Sequence, residues 1–142
     1  MCGLIFASGA DAEAIVTTGL GKLAHRGLDA QKILSVDGMF MGFARLSVND
    51  HRQQSMQPHK YGHLHGMFNA EIYNHQTLKA AVGSIDQSLS DTSVILPLFL
   101  ENKGLLPQLL NGFYAGIVYD QTHRKLYTLR DTLGKKPLFL VR

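Results

Sequence analysis

The chain has 142 residues, 45% hydrophobic and 18% charged, with a net charge of +3, which suits one domain with a sizeable core. Its cations are dispersed apart from a denser stretch between Arg124 and Lys136, so no nucleic-acid partner is expected. A single cysteine permits no internal disulfide, the opening lacks the basic-then-apolar plan of a signal peptide, and no apolar run nears membrane-spanning length; the expectation is a cytoplasmic domain with no membrane contact.

The first apolar run, LIFA, reads as a strand. Asp11 is placed to cap a helix carrying Ile15, Val16, Leu20 and Leu23, with Gly19 and Gly21 as weak points. QKILSV and MFMGFAR flank Asp37-Gly38, and Asp-Gly between β-rich runs predicts a hairpin. HLHGMF is a further strand. Helices follow from Asn74 through LKAAV and from Asp91 through VILPLFL, the second kinked at Pro97. GFYAGIVYD and KLYTLRD, separated by QTHR, form a second hairpin ahead of a last strand, PLFLV. Strand pairs with interspersed helices predict an α+β domain on antiparallel sheet, with no internal repeat or linker.

The only cysteine is Cys2, directly behind the initiator methionine. A lone cysteine is often just a small buried hydrophobe. The other reading begins with removal of Met1, which leaves a thiol and an α-amine on one residue. With an α-amine pKa of about 7.7–8.0 and a thiol pKa of about 8.5, the amine can take the thiol proton without a histidine base. His59, His63 and His65 raise the question of a metal, the last two being expected on one face of a strand. No cysteine lies near them and their spacing matches no closed zinc pattern, so no metal and no cofactor are expected.

Four clusters set polar residues into apolar runs: AHRGLDA at 24–30, FARLSVND at 43–50, FNAEIYNH at 68–75 and SLSDTSVIL at 88–96. Singly they read as a turn, a strand-edge charge, turn and cap residues, and a helix cap. Their order, with MCG before them and LRDTLGKKPLF after, resembles the glutaminase domain of class II (N-terminal nucleophile) glutamine amidotransferases, most closely that of the asparagine synthetase B type. That family runs MCG, HRGPD, RLSIVD, NGEIYNH, SD with an acidic residue next, and RD..G..PL. Here the counterparts are Met1-Cys2-Gly3, HRGLD at 25–29, RLSVND at 45–50, NAEIYNH at 69–75, SDTSVIL at 90–96 and RDTLGKKPL at 130–138, nearly the whole chain.

The resemblance implies a four-layer α-β-β-α sandwich of antiparallel sheets, one domain over residues 1–142. It implies a substrate, glutamine, whose side-chain amide Cys2 attacks to form a thioester and release ammonia, for asparagine synthesis. Asn69 and the backbone N–H of Ala70 match the family's oxyanion donors. Arg45 matches the residue that holds the α-carboxylate, Glu71 and Asp91 those that bind the α-ammonium, and backbone carbonyls near Val48 and Asn49 add contacts. Three positions depart from the family: Leu28 replaces Pro, Ser93 an acidic residue and Ala70 the Gly of NGE. A glycine with positive φ, or one pressed against substrate, tolerates no methyl group, so Ala70 also raises a catalytically impaired glutamine-binding or regulatory module. A hydrolase of another amide fits less well, since Arg45 and Asp91 suit a free amino acid. The family continues past RD..G..PL into further strands and a synthetase domain. The expectation is therefore a domain shortened at its C-terminus, with a synthetase partner chain or a homo-oligomer formed through Pro137–Val141.

Overall fold

The computed structural model describes residues 2–47, 55–83, 85 and 89–141. Strand β1, Gly3–Ser8, leads into helix α1, Ala12–Lys22, whose buried Ala12, Val16 and Leu20 recur every fourth residue and form one stripe. Ile15, expected on that stripe, is exposed. The helix lies close on the sheet: a Cβ on Gly19 would stand 2.2 Å from Ile5 Cδ1, and one on Gly42 2.7 Å from Val16 Cγ1. Gly19, expected as a weak point of the helix, thus permits its close contact with the sheet. Asp11 occupies the N-cap position but caps with no side-chain bond.

After a 3₁₀ turn at Ala24–Arg26 come β2, Ala30–Val36, and β3, Met39–Arg45. They pair with Val36 opposite Met39, and the two turn residues Asp37 (φ 52°) and Gly38 (φ 77°) both have positive φ, the twist a two-residue hairpin demands. β3 also pairs with β1, giving an antiparallel sheet in the order β1-β3-β2. The second sheet runs β4 (His59–Tyr61), β5 (Leu64–Ile72), β6 (Gly112–Asp120), β7 (Lys125–Arg130). β5 is longer than HLHGMF and takes in NAEI. His63 lies in the turn before it, opened by Gly62 with φ 57°, so His63 and His65 do not share a strand face as expected.

Between β5 and β6 lie α2 (His75–Val82), a 3₁₀ turn (Asp91–Val94), α3 (Ile95–Asn102) and the short α4 (Leu106–Leu109). The helix expected from Asp91 onward begins only at Ile95, so Pro97 falls in its first turn, where a missing N–H removes no intrahelical bond. Asn74 and Ser90 cap with no side-chain bond either. Asn74 instead ties the start of α2 to the chain before β6, donating to Leu109 O at 2.9 Å and accepting from Asn111 N at 3.0 Å.

Alternation along the strands sorts the core into two layers. Leu64, Phe68 and Ile72 of β5, with Tyr114 and Val118 of β6, pack on Leu78, Ile95, Phe99 and Leu106 of the helices. Met67 and Ile117 point the other way, onto Met41 and Phe43 of β3, with Cys2, Leu4 and Phe6 half-buried against them. With α1 outside the first sheet and α2 to α4 outside the second, the layers run α-β-β-α. Among the described residues no helix is long and apolar enough to cross a membrane.

The expected last strand is not formed. Residues 137–141 pair with none of the strands among the described residues, and Phe139, Leu140 and Val141 are 85%, 72% and 95% exposed. Apolar composition suits a pleated surface, but a strand exists only where an edge supplies the partner.

Candidate functional site

A cleft of about 520 Å³ opens at one end of the space between the sheets, and its walls include Cys2, Arg45, Asn69, Ala70, Glu71 and Asp91. Residues far apart in sequence meet there because of strand parity. Cys2 precedes β1 on the face of Leu4 and Phe6. Arg45 ends β3 on the face of Met41 and Phe43, and Asn69 and Glu71 follow Met67 on β5. All these side chains lie on the inner faces of the two sheets. Val48 and Asn49 lie outside the described residues.

The Cys2 thiol sits against the backbone just past β3: Leu46 N–H donates to Sγ at 3.5 Å, and Leu46 O lies 3.7 Å from Sγ. Arg26 Nε donates to Cys2 O at 3.4 Å. The rest of HRGLD closes on the same place. A Cβ on Gly27 would stand 2.2 Å from Ala44 C, so only glycine fits, and Asp29 accepts from Ser47 N–H while its own N–H donates to Arg45 O at 3.1 Å. Arg45 is 8% exposed.

Backbone accounting along β5 singles out one amide. Odd residues turn their backbone groups toward β6, as where Tyr73 N–H, just beyond the strand, donates to Asn111 O at 2.8 Å. Even residues turn theirs to the opposite edge, of which β4 covers only the beginning. Past β4 the buried Gln57 carboxamide takes the place of a strand, accepting from Phe68 N–H at 2.6 Å and donating to Phe68 O at 3.0 Å. Farther on, Ile72 N–H donates to Asp91 Oδ2 at 2.7 Å. Ala70 lies between them. Its register partner Tyr114 directs both backbone groups at Asp131 instead, through N–H to Oδ2 at 3.3 Å and Asp131 N–H to Tyr114 O at 2.8 Å. The Ala70 N–H therefore faces the cleft edge, next to the Asn69 side chain.

The conformational concern over Ala70 is answered by the same geometry. Among the described residues only Asp37 and Arg124 are non-glycines with positive φ, so Ala70 is ordinary strand backbone. Its methyl group packs on the helical side of the sheet with Phe68 and Ile72, opposite the face that carries Asn69.

Burial pushes the Asp91 carboxyl above its usual range, partly offset by the bond from Ile72 N–H and the nearby His75. Beside it, Thr92 Oγ1 lies 3.1 Å from His59 Nε2 and 3.0 Å from Ser90 Oγ. Burial foremost, then the charges of Lys32 and Arg45, hold the His59 pKa down to about 4. His59 is thus neutral in the fold and protonates more readily in the unfolded chain. Its contribution to stability is present above pH 6.5 and is lost as pH falls toward 4. Denaturant titrations are expected to show stability falling across that window by up to about 3 kcal/mol, and His59→Gln, which cannot titrate, to flatten the slope. An unchanged slope in that variant assigns the effect elsewhere.

Sequence reasoning missed Gln57 and the structural work of RDTLGKKPL. Gln57 carries no local signal, because its role depends on which edge of β5 is left bare. Asp131, 6% exposed, accepts from Lys135 N–H at 2.9 Å and Lys136 N–H at 3.2 Å, and the turn it holds brings Lys136 to the cleft.

A family model described as a glutamine amidotransferase domain matches residues 1–142. The chain is 38% identical over 151 aligned positions to the asparagine synthetase [glutamine-hydrolyzing] of Gallus gallus, covering 99% of the chain and 26% of that protein. It is 35% identical over 148 positions to that of Mesocricetus auratus, covering 98% and 26%. A probable asparagine synthetase [glutamine-hydrolyzing] of Acanthamoeba polyphaga mimivirus is 35% identical over 127 positions, covering 84% and 23%. The chain thus spans about a quarter of the length of these curated relatives.

Proposed function

The chain belongs to the glutamine amidotransferase domain family, and from that membership we propose that it hydrolyses glutamine through Cys2 and supplies the ammonia to a synthetase activity, that of asparagine formation. The observation that supports this most is the gathering in a single cleft of the Cys2 thiol, the Asn69 carboxamide and the Ala70 backbone N–H, which no strand pairs among the described residues.

The chemistry follows from those groups. With Met1 removed, the α-amine of Cys2 takes the thiol proton, and Sγ attacks the side-chain carbonyl carbon of glutamine. The oxygen of the tetrahedral intermediate accepts from the Asn69 carboxamide and the Ala70 N–H. The amine returns its proton to the leaving nitrogen, the C–N bond breaks, and ammonia departs from a thioester. Water, deprotonated by the same amine, cleaves the thioester and frees glutamate. Arg45 holds the α-carboxylate, and Asp91 and Glu71 the α-ammonium, with the carbonyls of Val48 and Asn49 as further acceptors. Asp91 is fixed in place by the Ile72 N–H, so the charge that reads the ammonium is set by the strand that carries the oxyanion donor.

The second reading is a domain that binds glutamine without turning it over, raised by Ala70. Strand backbone at Ala70 and a methyl group on the helical face favour competence. Ammonia release and glutamine binding measured side by side on the purified chain separate the two. Turnover is expected, and Ala70→Gly is expected to change it by less than about threefold. The substitution instead costs about 0.5–1 kcal/mol of stability, because glycine weakens a strand. Binding with no turnover, or a large rescue by glycine, establishes the impaired module.

A further inference from the structure

At the far end of β5, six residues and roughly 20 Å from Asn69 at strand rise, three metal-ligating side chains converge. His63 comes from the β4–β5 turn, Asp120 from the last position of β6 and His123 from the β6–β7 turn, and their ligand atoms all lie within 4.8 Å of one another. Leu64 and Asp120 are register partners, which is why two turns separated in sequence share one corner.

The Asp120 carboxylate has no exposure and its two oxygens are used differently. Oδ2 receives Lys103 Nζ at 3.2 Å, an ammonium also held over the Phe99 and Tyr127 rings at 5.7 and 5.2 Å. Oδ1 accepts from His123 N–H at 3.0 Å and faces both imidazoles, with His123 Nδ1 at 3.0 Å and His63 Nε2 at 3.6 Å. The His123 Nδ1 contact is within hydrogen-bond range, and it also reaches Oδ2 at 2.9 Å. The His63 contact is too long for a hydrogen bond, yet its Nε2 points at the carboxylate. Tetrahedral bonds of about 2.0–2.1 Å to zinc place ligand atoms roughly 3.3 Å apart, and 3.0 and 3.6 Å lie on either side of that separation.

We propose that His63 Nε2, Asp120 Oδ1 and His123 Nδ1 form a site for a divalent transition metal of the zinc class, with Lys103 on Oδ2 as the outer partner that orients the carboxylate. The ion replaces the proton shared between His123 Nδ1 and Asp120, and solvent completes the coordination, since both imidazoles reach the surface. Bound metal fastens the β4–β5 turn to the β6–β7 turn, away from the cleft, so its role is to stabilise the second sheet.

The test uses the full chain without a histidine tag and with Cys2→Ala, so that the N-terminal thiol binds no metal. Calorimetric titration with Zn²⁺ is expected to show one equivalent bound, and a zinc excess to raise Tm by about 5 °C or more. His63→Ala and His123→Ala, surface-reaching changes checked for intact fold by circular dichroism, each weaken that binding at least about tenfold. His25→Ala, an exposed histidine elsewhere, leaves it unchanged. No zinc binding by the folded chain overturns the site, as does binding that survives loss of both His63 and His123.

Discussion

Cys2→Ala lowers ammonia release from glutamine by on the order of 10⁴-fold or more, while glutamine affinity changes by less than about threefold. The size follows from the chemistry: without Sγ no thioester forms, and water must attack the amide directly with only the oxyanion donors to assist. Affinity is preserved because the charges proposed to read the amino acid stand on other elements, Arg45 at the end of β3 and Asp91 at the start of a 3₁₀ turn. The variant removes only a half-buried thiol that meets the Leu46 backbone and lies against the Met41–Phe43 layer of the core. Protein retaining Met1 behaves like Cys2→Ala, because its Cys2 nitrogen is an amide and accepts no proton. Steady-state ammonia assays beside equilibrium glutamine binding read both quantities. Turnover within tenfold of wild type in Cys2→Ala shows that the nucleophile is another group, and in protein retaining Met1 it shows that the Cys2 α-amine is not the base.

Arg45→Ala weakens glutamine binding by about 2–5 kcal/mol, roughly 30- to 4000-fold. The guanidinium is buried at the cleft wall, so its bond to a carboxylate forms where water screens little, and the ligand's carboxylate loses its counter-charge when the arginine is removed. Arg45→Lys restores part of the affinity, since a point charge remains without the planar fork. The effect appears in KM and in direct binding more than in kcat, as the α-carboxylate lies away from the reacting amide. A Tm measured on each variant separates loss of binding from loss of fold. Unchanged affinity in folded Arg45→Ala assigns the carboxylate to a different cation, and Lys136 also lines the cleft.

Much of this was legible in the order of residues. The β2–β3 hairpin follows from Asp37-Gly38 alone, because only residues that tolerate positive φ make that turn and the register is then forced. The second hairpin, the helix of Val16 and Leu20 and the antiparallel character follow from periodicity. Six candidate residues spread over Cys2 to Asp91 line one cleft. Capping was misread at Asp11, Asn74 and Ser90. A cap residue type offers the right atoms, but their bonds are decided by what else packs nearby, as Leu109 and Asn111 do for Asn74. PLFLV was misread for a similar reason: its composition fits a strand and no edge meets it.

By itself the sequence determined which chemistry is carried, one thiol at position 2 and an ordered set of charged and amide side chains, together with turns whose geometry is set within two or four residues. Those are local properties of side-chain type and backbone sterics. The tertiary structure alone decided that Ala70 offers its N–H to the cleft and its methyl group to the helices, since both depend on strand parity and on where β4 stops. It alone made Gln57 a substitute strand, buried Arg45, and brought His63 to Asp120 and His123 across 57 and more residues of chain. Each of these is a pairing between distant segments, and free edges, burial and ligand geometry exist only once those segments have met.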